Sequence, residues 1–204
     1  GEALSGNSQN AGSEGQGLTE YSVQDMQGQS PTPFFDLIRT DLDQVERALQ
    51  AASVSEVYPV DALAQHVLMA GGKRLRPATV ILTARALSCE PLQDRLVTVA
   101  AAMELVHTAT LVHDDVVDNT TIRRGAATAN AVFGNGVAVI SGDFLLARAV
   151  SMLAREPDNR LIRTVADVTV DMSEGEVREL VTTGEPRLTE EDYFGLIHKK
   201  TASF

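Results

Sequence analysis

Residues 92–118 read LQDRLVTVAAAMELVHTATLVHDDVVD. The first part is apolar and rich in Ala, which predicts a long buried helix from about Leu92 to Val117. The last part carries three carboxylates, and on a helix Asp114 and Asp118 would project from one face with Asp115 beside them. Acidic side chains at a helix C-terminus repel one another and the helix dipole. This end of the helix is therefore expected to need a cation.

A hard divalent ion would meet that need, because Mg²⁺ takes oxygen ligands and commonly combines one or two carboxylates with substrate phosphates. The DDxxD string alone is equally typical of a solvated acidic helix face. His107 lies on the same helix among Ala, Leu, Val and Thr. A histidine in such surroundings is either a satisfied core residue or part of a site, and both readings stay open on these residues.

Apolar residues recur at helical spacing through most of the remaining chain, and no stretch alternates convincingly like a β-strand. We therefore predict an all-α fold with several long helices around one core. The other expected helices cover about 34–49, 60–69, 77–86, a stretch beyond residue 124 that ends near 153, about 159–180, and one that starts at the capping box of residues 189–192.

The composition limits the class of protein. With 204 residues the chain can bury one sizeable core, and its net charge of −11 argues against a nucleic-acid partner, since phosphate contacts need excess Lys and Arg. A single cysteine excludes an intramolecular disulfide framework and points to a reducing compartment, so we expect a cytoplasmic protein.

Two segments stand apart from the helical pattern. Residues 1–30 contain six Gly, five Ser and five Gln but no Lys or Arg, which predicts a disordered tail before a helical domain at 31–204. Residues 125–142 carry no charge, yet Asn130, Asn135 and several glycines disfavour a lipid-spanning helix. We therefore expect no transmembrane segment.

Seven of the 17 Lys and Arg residues fall in three tight groups, and each group alone could be a solvated helix end. Carboxylates that bind a metal, together with separate cationic clusters, indicate two anionic ligands. One would be bridged by the metal and the other held directly by Lys and Arg, and two diphosphates fit this description. The groups are Lys73, Arg74 and Arg76; Arg123 and Arg124; and Lys199 and Lys200.

Four motifs, in this order, resemble the trans-polyprenyl diphosphate synthases, with the long-chain octaprenyl, decaprenyl and solanesyl types nearest. They are GGKRLRP at 71–77, ELVHTATLVHDDVVDNTTIRRG at 104–125, SEGEV at 173–177 and KT at 200–201. The resemblance runs from about residue 33 to the end. It implies an isoprenoid-synthase-type bundle around an apolar cavity, a Mg²⁺ cofactor and a homodimer.

The implied reaction condenses isopentenyl diphosphate with an allylic prenyl diphosphate, and it builds a long all-trans polyprenyl diphosphate for quinone side chains such as that of ubiquinone. By position in the motifs, Asp114 and Asp118 correspond to the Mg²⁺ ligands, and Asp115 is the second residue of that motif. The resemblance implies that Arg123 lies next to the allylic diphosphate and that Lys200 and Thr201 contact the allylic substrate. It also implies a catalytic set of Lys200, Arg123 and the three aspartates. The residues that would hold the isopentenyl diphosphate are Gly72, Lys73, Arg76, His107 and Arg124.

Ala109 precedes Asp114 by five residues, which is about 7.5 Å along a helix axis. Short-chain members of the family carry an aromatic side chain at this position. A methyl group leaves the shaft for the growing chain open, so the resemblance predicts a long product. The alternative is that Ala109 is simply a good helix former in an Ala-rich segment.

The second aspartate-rich motif of the family is missing from this sequence, because Asp167 and Asp171 have helical spacing but lack the paired carboxylate. We therefore expect an incomplete bundle, the N-terminal part of a longer synthase, with little or no turnover alone. A non-catalytic subunit or scaffold of a heteromeric synthase is an alternative. A class I terpene cyclase is another, but it needs no second diphosphate site, so Lys73, Arg76 and Arg124 argue against it.

Overall fold

The computed structural model describes residues 33–87 and 93–204, and within these ranges the chain is almost entirely helical. Residues 37–204 form one compact unit, while residues 33–36 belong to a separate unit. The predicted tail at 1–30 and the expected helix start at Leu92 lie outside the described residues. The elements are α1 (Pro33–Leu37), α2 (Arg39–Ser53), α3 (Tyr58–Met69), α4 (Leu75–Ala86), α5 (Gln93–Val117), β1 (Ile122–Arg123), β2 (Ala126–Ala127), α6 (Ala129–Phe133), α7 (Asn135–Ala154), α8 (Asn159–Thr182), α9 (Glu190–Ile197) and a π-helix (His198–Ala202).

Helix α5 forms the centre of the core. Ala101, Leu105 and Val106 are fully buried, and Ala109 and Val112 are nearly so. The helix packs most extensively against α7, and also against α4 and α2. A helix that is apolar on all sides must be surrounded by protein, and this requirement places α5 inside the bundle.

Helix α5 ends just before Asp118 in a left-handed cap. Asn119 has a φ of 53°, and the Thr120 N–H donates to the Asp115 carbonyl at 2.9 Å, which is the Schellman pattern. The Asp118 N–H still donates to the Asp114 carbonyl at 2.8 Å. Asp114 and Asp118 are therefore one helical turn apart at the end of a buried helix.

A short antiparallel hairpin follows α5, and the sequence analysis did not predict it. Strands β1 and β2 pair with Arg123 opposite Ala126. The two turn residues, Arg124 and Gly125, have φ values of 53° and 81°, as in a type I′ turn. Strands of two residues are too short to show alternation, so the expectation of no strand was wrong here.

Other boundaries also differ in detail from the prediction. The helix expected between 124 and 153 is divided at Gly134 into α6 and α7, and the Gly134 N–H caps α6 by donating to Asn130 at 2.9 Å. The predicted capping box is confirmed, because the Asp192 N–H donates to the Thr189 hydroxyl and the Asp192 carboxylate accepts from the Thr189 N–H.

The His113 side chain of α5 packs against Gly142 of α7. A Cβ at this position would lie 2.3 Å from the His113 Nε2 atom, so a side chain there would require the ring to move. The same Nε2 atom lies 3.0 Å from the Val139 carbonyl oxygen. This contact joins α7 to the helix turn that carries Asp114.

Two of the described helices are long and apolar enough to cross a membrane, judged by length and composition alone: Asp94–Val117 within α5, and α7. Of the most apolar 18-residue stretch in each helix, 56% is buried inside the protein for α5 and 33% for α7. A buried core helix passes the same test. The lack of a transmembrane segment therefore stays a prediction.

Arg74 joins three helices through a buried ion pair. Its guanidinium donates to Glu104 Oε1 at 3.0 Å, to the Leu68 carbonyl at 3.1 Å and to both carboxylate oxygens of Glu46. Glu104 lies on α5 and is only 6% exposed. Arg74 therefore stabilises the fold, in contrast to its neighbours in the same basic group.

The Arg74→Met variant should lose about 3 kcal/mol of unfolding free energy, because it leaves the Glu104 carboxylate buried without its cation. Urea unfolding at neutral pH measures this loss. The double variant Arg74→Met/Glu104→Leu should recover most of it, since no charge then stays buried. Arg160→Met, which removes an exposed arginine, is the control. If Arg160→Met and Arg74→Met lost equal unfolding free energy, the structural role of Arg74 would be contradicted.

Candidate active site

A cavity of about 470 Å³ lies between α5, α8 and the C-terminal π-helix, with Leu146 of α7 and Arg76 of α4 also in its wall. A concave site with mostly apolar walls and a few polar groups is typical of small-molecule binding. The polar lining residues include Arg76, His107, His113, Asp114, Glu176, Lys200 and Thr201. The apolar lining residues include Val106, Ala109, Leu111, Val117, Leu146, Met172, Val177, Leu180 and Phe204.

Asp114 contributes a partly buried carboxylate to this cavity. Its pKa is raised to about 6, mainly by burial and also by the nearby Glu176 and Asp118 carboxylates, against the opposing effect of Lys200 and Arg123. Burial of a carboxylate is costly unless a cation pairs with it. The acidic end of α5 therefore has an unmet need for a cation.

Asp115 has a different role from its neighbour. It is 5% exposed, and its Oδ1 atom accepts a hydrogen bond from Arg123 Nε at 2.8 Å. The Asn130 side chain donates to the Asp115 carbonyl at 3.1 Å. Asp115 is outside the lining of the large cavity. Its contacts orient Arg123 and attach the hairpin to α5.

The donor atoms at this helix end suit Mg²⁺. Asp114, Asp118 and Glu176 offer carboxylate oxygens, which hard cations prefer. In the part of the chain that the structure describes, no three His, Cys, Asp or Glu side chains come together at metal-binding spacing. Mg²⁺ commonly takes only one or two carboxylates and fills its other positions with water and phosphate oxygens. The residues therefore fit a metal ion that binds together with a phosphorylated ligand.

The first two basic groups meet although they are about 50 residues apart in sequence. The Arg124 Nη1 atom donates to the Gly71 carbonyl at 2.5 Å. A Cβ at Gly72 would lie 2.8 Å from the same nitrogen, so the glycine loop and the hairpin are in direct contact. Arg124 and Gly71 also line a smaller cavity of about 60 Å³ beside the large one.

His107 lies between the acidic and basic parts of the site and lines both cavities. Its pKa is lowered to about 4, mainly by burial and also by the positive charges of Arg76, Arg124 and Arg123. The imidazole is therefore neutral at pH 7. The pKa of Arg76 is also lowered, by burial first and also by Arg124. These cations lie close enough to repel one another, which is the setting in which an anion binds well.

Some predicted residues lie at the edge of this arrangement. Lys73 is exposed and lies outside the lining of both cavities, and Gly72 is exposed beside it. Asp118 is exposed at the end of α5. Thr201 is exposed but lines the large cavity. Arg124 is exposed too and lines only the smaller cavity. The large cavity thus brings together Arg76, His107, Asp114, Lys200 and Thr201.

Lys200 reaches the cavity from the π-helix. Its Nζ atom lies 3.0 Å from Glu176 Oε2 and also pairs with Glu179. A Cβ at Gly175 would lie 2.6 Å from the Lys200 backbone nitrogen, so the π-helix rests directly on α8 at this glycine. The SEGEV motif therefore provides the contact surface and one partner for Lys200, and Glu179 lies two residues beyond the motif.

Three of these contacts were missed in the sequence. Glu176 and Glu179 were not recognised as partners of Lys200, and His113 was not recognised as the contact for α7. The spacing of Glu176 and Glu179 by three residues places them on one helix face, and this was a usable signal. The sequence offered no comparable signal for His113, whose partner lies 26 residues away.

The chain is similar to known proteins both in sequence and in fold. The family model of the polyprenyl synthetases matches residues 58–204. The octaprenyl diphosphate synthase of Escherichia coli K12 is 40% identical over 167 residues, covering 82% of this chain and 51% of that protein. A polyprenyl synthase of Caulobacter crescentus CB15, solved with calcium and isoprenyl diphosphate, has a TM-score of 0.80 at 36% identity over 83% of this chain and 51% of its own.

A decaprenyl diphosphate synthase structure from Rhodobacter capsulatus has a TM-score of 0.78 at 34% identity, covering 83% of this chain and 52% of its own. The chain spans about half the length of the curated relatives it matches. These neighbours confirm the predicted isoprenoid-synthase all-α fold. Because the family model also matches most of the residues that form the bundle and its cavity, the chain belongs to the polyprenyl synthetase family.

Proposed function

We propose that the chain forms part of a Mg²⁺-dependent trans-prenyltransferase that condenses isopentenyl diphosphate with an allylic prenyl diphosphate into a long all-trans product. The supporting observation is that one apolar cavity has a carboxylate in need of a cation, Asp114, and the cationic groups Arg76 and Lys200 in its wall. The names of the octaprenyl and decaprenyl relatives support a long product.

The allylic diphosphate would bind at the acidic end of α5. Mg²⁺ held by Asp114 and Asp118 would supply positive charge to the diphosphate leaving group. Lys200 and Arg123, the latter oriented by Asp115, would add cationic hydrogen-bond donors. Breaking the allylic C–O bond leaves a carbocation, and apolar walls exclude the water that would otherwise quench it.

The second diphosphate, that of isopentenyl diphosphate, would bind among Arg76, Arg124 and His107, with exposed Lys73 and Gly72 at the edge. A neutral imidazole can give one hydrogen bond without adding to the repulsion among the arginines. The double bond of isopentenyl diphosphate then attacks the carbocation and a proton leaves. The product gains one isoprene unit and stays within the apolar cavity.

Homodimerisation and a cytoplasmic location are part of the same proposal and rest on the family resemblance and the composition. A role in making quinone side chains such as that of ubiquinone rests on the resemblance alone. We also propose that the 204-residue chain alone has little turnover, because its sequence contains one aspartate-rich motif.

The proposed function predicts that the protein encoded by the full reading frame transfers label from isopentenyl diphosphate to an allylic primer when Mg²⁺ is present. Asp114→Asn should reduce this transfer by at least about tenfold, as changes around metal ligands do. Asp167→Asn, an exposed carboxylate on α8, is the matched control. Cyclic products from the allylic diphosphate alone, without transfer of label, would indicate a terpene cyclase instead.

A second prediction concerns product length. The Ala109 side chain is 1% exposed and lines the large cavity, so an aromatic ring at this position would project into the cavity. Ala109→Phe should therefore give shorter prenyl products on reversed-phase chromatography. Ala131→Phe on α6, where the alanine is exposed, should leave product length unchanged. An unchanged product from Ala109→Phe would show that this alanine matters only for helix stability.

A third prediction concerns pH. The pKa of His107 is about 4 in the folded protein and about 6.5 when unfolded, so the unfolded chain binds the extra proton between these values. The contribution of His107 to stability should thus rise with pH through this window. Asp114 also titrates in this window, and its raised pKa makes its own contribution to stability fall as the pH rises. This contribution is the same in wild type and in His107→Gln, so it cancels from their difference. The stability difference between wild type and His107→Gln should therefore increase from pH 4 to pH 6.5, and urea unfolding that shows a constant difference would refute it.

A further inference from the structure

The Lys200 ammonium forms ion pairs with two carboxylates that lie at different positions relative to the cavity. Its Nζ atom lies 3.0 Å from Glu176 Oε2 and pairs also with Glu179. Glu176 and Lys200 line the large cavity, whereas Glu179 is outside that lining. The Glu176 side chain is 22% exposed and that of Glu179 is 44% exposed. The ammonium therefore lies between an acid in the cavity wall and an acid closer to solvent.

The backbone that carries this lysine packs directly against α8. The Lys200 nitrogen lies so close to Gly175 that a Cβ there would approach it to 2.6 Å. The side chain, in contrast, ends in a compact charge on a flexible stem. A rotation of this side chain alone could therefore turn the ammonium from Glu179 toward a ligand inside the cavity.

Burial alone would lower the pKa of the Lys200 ammonium, but its hydrogen bonds with Glu179 and Glu176 raise the pKa well above the ordinary value. The lysine is thus fully charged and attracts any anion that enters the cavity. The same ion pairs that keep it charged must be given up, in part, before it can bind such an anion.

We propose that Glu179 competes with the diphosphate ligand for the Lys200 ammonium and so sets how tightly the cavity binds that ligand. This inference rests on the proposed function, in which Lys200 contacts a diphosphate. Glu179 acts through the lysine and does not touch the ligand, so it is a positioning residue. Removing its charge should release Lys200 toward the cavity and strengthen binding.

The neighbouring lysine provides a matched control. Lys199 pairs with Glu174 and lies 3.4 Å from Asp171, also on α8. Lys199 is outside the lining of the large cavity. Glu174→Gln therefore removes the same charge from the same helix, but it frees a lysine that does not face the ligand.

The test is isothermal titration calorimetry of the 204-residue chain with inorganic pyrophosphate in the presence of Mg²⁺. Glu179→Gln should tighten binding about two- to fivefold, the value of one partly exposed ion pair. Glu174→Gln should change binding less. In a Lys200→Met background the effect of Glu179→Gln should disappear, since the two residues act as one unit. Glu179→Asp, which keeps the charge, should bind like wild type.

Unchanged or weaker binding by Glu179→Gln would overturn the inference, and so would an equal gain from Glu174→Gln or a gain that persists without Lys200. Circular dichroism and thermal unfolding verify that each variant is folded. If the wild-type chain binds pyrophosphate and Glu179→Gln does not differ from it, only this inference fails. If the wild-type chain binds no pyrophosphate, the proposed diphosphate site fails, and the inference fails with it.

Discussion

The structure depends on one conflict within α5, which is a helix apolar on all sides that ends in carboxylates. Its body must be buried, and the burial of Leu105, Val106 and Ala109 shows that it is. Its end must stay within reach of positive charge, because burial of an unpaired carboxylate is costly. The protein meets one part of this need with Arg123, which pairs with Asp115. Asp114 is partly buried, and this burial is the main reason that its pKa is raised despite the nearby Lys200 and Arg123.

Features set by local sequence could be predicted, and features set by distant partners could not. Helical periodicity and the Thr189 capping box act over a few residues, so the helices were found close to their true positions. The hairpin could not be predicted because its two-residue strands are too short to show an alternating pattern of apolar and polar residues. Arg74 and Arg76 look equivalent in sequence, yet Arg74 turns inward to Glu104, 30 residues away, while Arg76 lines the cavity. No local pattern distinguishes the two arginines.

The net charge of −11 now has a more specific meaning than a general surface property. Much of the acidity of α8 faces the π-helix, where Lys199 and Lys200 each contact two carboxylates. Acidic and basic residues thus form a charged layer along one side of the cavity. Such a layer keeps lysine ammonium groups charged, and it also limits how freely they can leave. Charge in this protein is therefore arranged around its site, consistent with an anionic ligand.

Helix α5 contacts or carries residues from every part of the site. Arg124 reaches the glycine loop from a hairpin that Asp115 ties to α5. His107 lies on α5 itself, and Lys200 faces its acidic end through Glu176. These groups come from distant parts of the sequence, so their spacing depends on how α5 sits in the bundle. His113 packs against Gly142 of α7 beside the turn that carries Asp114. A side chain at residue 142 would displace the His113 ring, which lines the cavity, although residue 142 itself lies outside that lining.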